Sequence, residues 1–186
     1  MFSIYHEPRI IKNFITHEEC EYLKSTENGL FVDSLVQSGI PSLKRKSKSK
    51  VFLDENHYVI KEVSNKVSEL TKTPLPNIEF LQITKYETGG FYKTHFDSAL
   101  PGPLRPFTVI IYLNDNYIGG ETYFPRINKK YKLNRCDALL FNNYDTSGNI
   151  SQCSLHSGEP IITGEKWICS AFVNENRQPL FNKKRT

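Results

Sequence analysis

Long hydrophobic runs are missing from this sequence, and their absence limits where the protein can act. No apolar stretch approaches the roughly 18 residues that a transmembrane helix needs. The first fifteen positions also lack the apolar core of a secretory signal peptide, because His6, Glu7, Arg9 and Lys12 interrupt them. The sequence therefore predicts a cytoplasmic protein with no membrane partner.

Cysteine is scarce as well. The 186 residues contain four cysteines and no Cys-x-x-Cys pair, whereas a disulfide scaffold or a zinc ribbon needs closely spaced thiols. We interpret the four as thiols of a reducing compartment. A chain of this length can bury a hydrophobic core of its own, so we expect one domain over residues 1–186.

Basic residues are concentrated in two short segments. The chain carries 24 basic and 20 acidic residues, a net charge of +4. Five of the basic side chains lie between Lys44 and Lys50, and three more form the tail Lys183–Arg185. Acidic residues outnumber basic ones in the rest of the chain, which disfavours a basic nucleic-acid-binding platform.

The first 77 residues predict two helices. Thr16 and Glu19 form a capping-box pattern, so a helix should begin there and end near Asn28–Gly29. Asp54–Thr71 predicts a second helix capped by Asp54, because its apolar residues share one helical face. Between them, Leu30–Val36 is a candidate strand and Gly39–Lys50 is expected to be a loop.

From residue 78 onward the pattern changes to short apolar and aromatic runs separated by Gly, Pro and Asn. Such spacing is typical of a sandwich or barrel, so we predict an α+β protein with helices first and then a jelly-roll core. The candidate strands are Phe80–Tyr86, His95–Asp97, Thr108–Leu113, Gly120–Phe124, Tyr131–Leu133, Ala138–Asn142, Ser154–His156 and Trp167–Val173.

Two of the five histidines stand in a pattern typical of a metal site. His95 and Asp97 form a His-x-Asp pair, which a strand presents on one face, and His156 near a later strand is a candidate third ligand. Two imidazoles and one carboxylate make the facial triad of Fe(II) oxygenases, which leaves three positions open. A structural zinc site would need a fourth ligand, for which Cys153 is poorly placed.

Lys166 lies ten residues after His156 and begins an apolar run. In a strand, it shares a face with Ile168, Ser170 and Phe172. If that face is interior, the buried cation requires an anion, and a dicarboxylate ligand would supply one. The alternative is a surface lysine beside a turn.

Five motifs, taken together, resemble the prolyl 4-hydroxylase family of Fe(II)- and 2-oxoglutarate-dependent dioxygenases. They occur in the family's order over residues 80 to 173, about half of the chain, and the N-terminal half is similar in layout only. The motifs are Gln82–Asp97, Thr108–Asp115, Gly119–Pro125, Asp137–Phe141 and Leu155–Trp167.

The resemblance implies a double-stranded β-helix, or jelly roll, with the N-terminal helices packed on one sheet. It implies that His95, Asp97 and His156 bind Fe(II) and that Lys166 pairs with the far carboxylate of 2-oxoglutarate. The spacing of ten between His156 and Lys166 is that of the collagen-type enzymes.

Further residues match the family's pocket. Tyr86 and Thr108 correspond to hydroxyl-bearing residues that line the cosubstrate pocket, and Tyr112 is a third candidate. On the peptide side, Tyr92 corresponds to an aromatic beside the target proline and Arg105 to a residue that hydrogen-bonds the peptide. The same positions could equally hold ordinary strand residues.

The function implied by the resemblance is hydroxylation of peptidyl-proline to 4-hydroxyproline. The reaction consumes 2-oxoglutarate and O₂, releases succinate and CO₂, and uses ascorbate as an auxiliary reductant. The expected partner is a proline-containing peptide or protein. The alternatives are hydroxylation of another side chain on this scaffold, or a peptide-binding jelly roll without catalysis. With no leader segment expected, a viral or bacterial enzyme would fit.

Three departures from the family touch the substrate side. Cys136 replaces the usual glycine before Asp137, so that turn is expected to differ. Phe172 stands where a substrate-side tryptophan is common. The segment Ser98–Pro106 is short and rich in proline.

The family layout also assigns regions to the chain. It implies a helical support region over 1–77, a catalytic jelly roll over 78–175 and a basic tail over 176–186. The segment 39–50 corresponds to a mobile loop that closes over the peptide, and its five basic residues suggest guidance of an acidic or extended peptide. A solvated basic run is the alternative.

Overall fold

Two helices and fourteen strands make up the part of the chain that the structure describes. The computed structural model describes residues 5–25, 31–34, 43–52, 57–98, 100, 102 and 104–175. The helices are α1 (His17–Lys24) and α2 (Tyr58–Thr71). The strands are β1 (Arg9–Ile11), β2 (Val32–Asp33), β3 (Arg45–Lys46), β4 (Lys48–Val51), β5 (Gln82–Tyr86), β6 (Phe91–His95), β7 (Phe107–Tyr112), β8 (Ile118–Gly119), β9 (Thr122–Phe124), β10 (Lys129–Tyr131), β11 (Ala138–Asn142), β12 (His156–Gly158), β13 (Ile161–Thr163) and β14 (Lys166–Val173).

Two antiparallel sheets form the core. The larger sheet has the strand order β1-β11-β7-β14-β5-β4-β2, and the smaller one has the order β10-β9-β12-β6-β3. A short pair, β13 with β8, lies apart from both. Neighbours in each sheet are mostly distant in sequence, as in a jelly roll. The predicted α+β jelly roll is confirmed.

The alternation of side chains along β7 shows what each face of the larger sheet contacts. Val109 and Ile111 belong to the apolar cluster that contains the buried apolar residues of α1 and α2. Ile110 and Tyr112, on the other face, belong to the cluster between the sheets. Both helices therefore pack on one sheet, and the opposite face of that sheet is left to line an interior.

Both helices begin close to the predicted positions. The capping box is present: the backbone N–H of Glu19 donates to Thr16 Oγ1 at 3.1 Å, and that of Thr16 donates to the Glu19 carboxylate at 2.7 Å. The first helix ends at Lys24, earlier than predicted. The second begins at Tyr58 with His57 as its N-cap, whereas Asp54 lies outside the described residues. Neither described helix is long and apolar enough to span a bilayer.

The expectation of a loop over 39–50 is wrong for its second half. Arg45–Lys46 pairs with β6 in the smaller sheet, and Lys48–Val51 pairs with β5 in the larger one. The segment thus crosses from one sheet to the other. Side chains alternate along it: Arg45, Ser47 and Ser49 are half-buried or buried, and the lysines between them are exposed.

Each of the eight strands predicted after residue 78 overlaps an observed strand, but two boundaries matter for the site. β6 ends at His95, so Asp97 follows the strand rather than lying in it. The strand predicted to begin at Ser154 begins only at His156, as β12, because Gln152–Ser154 forms a 3₁₀ turn.

The turn before β11 keeps the shape that a glycine would favour. Cys136 has a φ of 71°, in the left-handed region where a side chain is strained. The backbone at this turn therefore lies in a region that glycine adopts without strain, although the residue is a cysteine.

Candidate active site

One cavity lies between the two sheets, and most of the predicted site residues line it. It encloses about 490 Å³, counting its open mouth. The interior face of β14 supplies Lys166, Ile168, Ser170 and Phe172, as the strand periodicity predicts. The other polar and aromatic residues of the wall are Arg45, Gln82, Thr84, Tyr86, Tyr92, His95, Asp97, Thr108, Thr122, His156 and Ser157.

Three side chains in this cavity could hold a metal ion. β12 pairs with β6 so that His156 lies opposite His95, and the bend after β6 brings Asp97 between them. The Asp97 carboxylate oxygens lie 3.4 Å from His95 Nε2 and 3.6 Å from His156 Nε2. The three candidate ligand atoms lie within 4.8 Å of one another.

Each imidazole, in its neutral form, presents an unprotonated nitrogen to the centre of this group. His95 Nδ1 lies 2.8 Å from the carbonyl oxygen of Lys93, and His156 Nδ1 lies 2.9 Å from that of Ser154. A carbonyl oxygen only accepts, so Nδ1 carries the proton in each neutral ring. Each Nε2 is then free to bind a metal, and the backbone bonds fix the ring orientation.

The charge states of the group also suit a cation. Burial alone would raise the pKa of Asp97, but His156, His95 and a hydrogen bond from Thr108 outweigh it and lower that pKa. Burial lowers the pKa of His156 to about 4. At neutral pH the group is therefore one carboxylate with at least one neutral imidazole buried beside it.

Lys166 is a buried cation in the same cavity. Its side chain is 2% exposed, and Nζ donates to the carbonyl oxygen of Gly120 at 2.7 Å. Burial lowers its pKa to about 7, although the charge of Glu121 acts in the opposite direction. Among the described residues no carboxylate lies within salt-bridge distance of Nζ, so the cavity holds a lysine ready to receive an anion.

Comparison with known proteins identifies the family. Residues 81–174, half of the chain, match the family model of the 2OG-Fe(II) oxygenase superfamily. Prolyl 4-hydroxylase 1 of Arabidopsis thaliana is 31% identical over 197 residues, covering 90% of this chain and 69% of the plant protein. The chain belongs to the prolyl 4-hydroxylase family of these oxygenases.

Other relatives agree with this assignment. Prolyl 4-hydroxylase 5 of Arabidopsis thaliana is 33% identical over 193 residues, covering 87% of this oxygenase and 66% of the plant enzyme. The solved 2OG complex of a viral collagen prolyl hydroxylase, from Paramecium bursaria Chlorella virus-1, superposes with a TM-score of 0.75 at 27% identity. That match covers 91% of this chain and 96% of the viral one. Membership of the superfamily implies Fe(II), 2-oxoglutarate and O₂ as the reacting groups.

The residues of the cavity fit these groups. Two imidazole nitrogens and one carboxylate oxygen are the donor set of a facial triad, which leaves three coordination positions for a chelating 2-oxo acid and O₂. A buried lysine in the same cavity suits the second carboxylate of a dicarboxylic acid.

The predicted cosubstrate residues occupy different positions. Tyr86 and Thr108 line the cavity, and the Thr108 hydroxyl donates to Asp97 Oδ2 at 2.9 Å. Tyr112 does not line it: the ring is buried behind Lys166, with its centroid 5.1 Å from Nζ. Its hydroxyl lies 2.8 Å from that of Thr122, which does line the cavity.

Of the predicted peptide-side residues, Tyr92 and Phe172 line the cavity, whereas Arg105 does not. The Tyr92 ring stacks on that of His95, with centroids 3.6 Å apart. The Arg105 guanidinium lies 4.0 Å from the ring centroid of Phe172. Arg105 also forms two hydrogen bonds of 2.6 Å with Glu79 and one of 3.2 Å with the backbone carbonyl of Asp97.

Sequence reasoning missed several residues of the wall, among them Arg45, Gln82, Thr84, Thr122 and Ser157. Arg45 enters the cavity from β3, with its guanidinium 4.6 Å from the ring centroid of Tyr92. The alternation of Ser and Arg with Lys in that segment is the signal that could have revealed it. Thr122 gave no such signal, because a hydroxyl in a short strand is common.

Proposed function

We propose that this chain hydroxylates peptidyl-proline to 4-hydroxyproline, with release of succinate and CO₂ from 2-oxoglutarate. The observation that carries the proposal is the presence of His95, Asp97, His156 and the buried Lys166 in one cavity. When bound, Fe(II) supplies the activation of O₂ and the oxidative decarboxylation of 2-oxoglutarate.

The chain's own residues hold and orient the reactants. His95, Asp97 and His156 hold the metal through two Nε2 atoms and a carboxylate oxygen. Lys166 donates to the far carboxylate of 2-oxoglutarate, and Tyr86 lies opposite Lys166 on the neighbouring strand. Thr108 lies at the metal end of the cavity, where its hydroxyl donates to Asp97. Apolar side chains of the cavity wall, including Ile110 and Ile168, exclude water from this end.

A second set of residues is proposed to hold the peptide. Tyr92, Phe172 and Arg45 form an aromatic and cationic rim next to His95, which suits a proline ring and backbone carbonyl groups. Arg105 is fixed against Phe172 by Glu79 and keeps further N–H groups for a peptide carbonyl. In this proposal the whole chain acts as one dioxygenase domain, residues 78–175 carry the metal and cosubstrate site, and ascorbate returns oxidised iron to Fe(II).

The proposal is tested with a panel of proline-containing peptides incubated with Fe(II), ascorbate and 2-oxoglutarate in air. We expect succinate formation and an added oxygen atom on proline. Succinate with an oxygen on another side chain would favour a different hydroxylase on this scaffold. Peptide binding without succinate, unaffected by Asp97→Ala, would favour a non-catalytic binding module.

The buried lysine predicts a pH dependence for 2-oxoglutarate binding. The pKa of Lys166 is about 7 in the absence of ligand, and a bound carboxylate raises it, so binding above pH 7 takes up a proton. The Kd of 2-oxoglutarate should then rise about tenfold per pH unit between about pH 7 and pH 9. Anaerobic calorimetry in two buffers of different ionisation enthalpy measures both the Kd and the proton uptake.

The control for this effect is Lys166→Arg, since a guanidinium stays charged over the whole range. Its 2-oxoglutarate affinity should be independent of pH between about pH 7 and pH 9. A wild-type Kd that is equally flat, with no proton uptake, would show that Lys166 is already charged in the ligand-free protein and would contradict its lowered pKa.

Side chains of the basic segment alternate between the cavity and solvent, so the role of Arg45 can be tested separately from that of its neighbour Lys46. Arg45 lines the cavity, whereas Lys46 is exposed on the other side of the strand. Arg45→Ala should raise the peptide KM about tenfold or more, because it removes charge-assisted hydrogen bonds and a cation–π contact. Lys46→Ala should leave that KM unchanged. Equal effects of the two variants would show that general basic charge, rather than the inward position, guides the peptide.

A further inference from the structure

Asn143 is a buried amide beside the metal group that neither the family motifs nor the substrate contacts explain. It follows β11 directly and is completely buried. Its Nδ2 donates to Thr108 Oγ1 at 3.0 Å, while its Oδ1 accepts no hydrogen bond from the described protein groups. Burying a half-satisfied amide costs about 1–3 kcal/mol, so stability alone does not account for an asparagine here.

The hydrogen bonds from Asn143 to Asp97 run in one direction. The ionised Asp97 carboxylate only accepts, so the Thr108 hydroxyl uses its single hydrogen for the 2.9 Å bond to Oδ2. Thr108 can then only accept from Asn143, and the amide Nδ2–H is the matching donor. This donor keeps the hydroxyl from rotating its hydrogen away from Asp97.

The backbone of Asn143 is tied to the segment that orients another ligand. Its N–H donates to the carbonyl of Pro106 at 2.8 Å, and its carbonyl accepts from Ser151 N–H at 2.9 Å and from Ser154 Oγ at 3.4 Å. The carbonyl of Ser154 in turn accepts from His156 Nδ1 at 2.9 Å. These backbone hydrogen bonds do not depend on the Asn143 side chain. The side chain can therefore be truncated while the backbone stays bonded to Pro106, Ser151 and Ser154.

We propose that Asn143 is a positioning residue for the metal centre. Its amide fixes the rotation of the Thr108 hydroxyl, which fixes the Asp97 carboxylate through Oδ2 and leaves Oδ1 toward His95 and the metal. The inference rests on the proposed metal role of Asp97, but it does not depend on which side chain the enzyme hydroxylates. Partners of metal ligands commonly contribute about 10- to 100-fold in metal affinity.

A double-mutant cycle on metal binding tests the relay without using activity. The Kd of Co(II), which stands in for Fe(II) and resists oxidation, is measured by calorimetry and by the visible absorption of the bound ion. Asn143→Ala and Thr108→Val should each raise this Kd about 10- to 100-fold. In the Thr108→Val background, adding Asn143→Ala should raise the Kd of Co(II) by less than about twofold, because the hydroxyl through which Asn143 acts is already gone.

The matched control is Asn142→Ala, which truncates the neighbouring asparagine at the end of β11 and should leave the Kd unchanged. An unchanged Kd in Asn143→Ala would overturn the proposal. So would an Asn143→Ala substitution that lowers the Co(II) affinity by the same factor whether or not the Thr108 hydroxyl is present. If Asn143→Ala does not fold, Asn143→Ser gives the same comparison. A wild-type protein that binds Co(II) but leaves proline unmodified would refute the proposed substrate and leave this inference standing.

Discussion

Replacing Asp97 with alanine is expected to abolish 2-oxoglutarate turnover while leaving the fold intact. The carboxylate lies between His95 and His156, and the two imidazoles that remain supply no negative charge to the cation. A bound metal contributes several kcal/mol to such a reaction, so its loss corresponds to a decrease of about 10³-fold or more. Succinate formation with and without peptide measures the effect.

The control for Asp97→Ala is Asp33→Ala, which removes an exposed carboxylate from β2. That variant should retain wild-type turnover. Circular dichroism and Co(II) titration separate the two possible causes of inactivity: we expect a folded Asp97→Ala protein with no measurable Co(II) site. Turnover within about tenfold of wild type in folded Asp97→Ala would remove Asp97 from the metal centre.

Replacing Lys166 with methionine is expected to raise the KM for 2-oxoglutarate by about 100- to 1000-fold. The substitution keeps an unbranched side chain of similar length in the 2%-exposed position but removes the cation. Leaving one partner of a buried charge pair alone costs about 2–5 kcal/mol, which corresponds to about 30- to 5,000-fold, and the expected change lies in the middle of that range. Initial rates of succinate formation as a function of 2-oxoglutarate concentration measure the change.

Lys85→Met is the matched control for this experiment. Lys85 lies on the neighbouring strand, but its ammonium pairs with Glu87 and Glu165 at 3.2 and 2.8 Å, away from the cavity. Its removal should leave the KM for 2-oxoglutarate unchanged. Similar KM values for Lys166→Met and wild type would mean that another group receives the far carboxylate.

Local sequence patterns were sufficient for elements whose signal is local. The capping box placed the start of α1, and the apolar run Ala138–Asn142 matches β11 at both ends. The two-residue period along β14 placed Lys166 on the cavity face together with Phe172. In each case neighbouring residues carry the information.

Elements that depend on distant pairing were not predicted. β3 and β4 are rich in Lys and Ser and have little intrinsic strand preference, and they form strands because β6 and β5 offer edges for pairing. The same pairing brings Arg45 into the cavity. Asn143 likewise has no sequence signal, because its partner Thr108 is 35 positions away and the contact exists only once β11 pairs with β7.

Tandem mass spectrometry of a proline-containing peptide tests the central claim most directly. The peptide is incubated in air with the protein, Fe(II), ascorbate and 2-oxoglutarate, and succinate is quantified in the same sample. The account predicts one added oxygen atom on proline, identified as 4-hydroxyproline, in a one-to-one ratio with coupled succinate, and neither product with Asp97→Ala. Succinate without hydroxyproline on any peptide, or hydroxyproline that persists in Asp97→Ala, would contradict it.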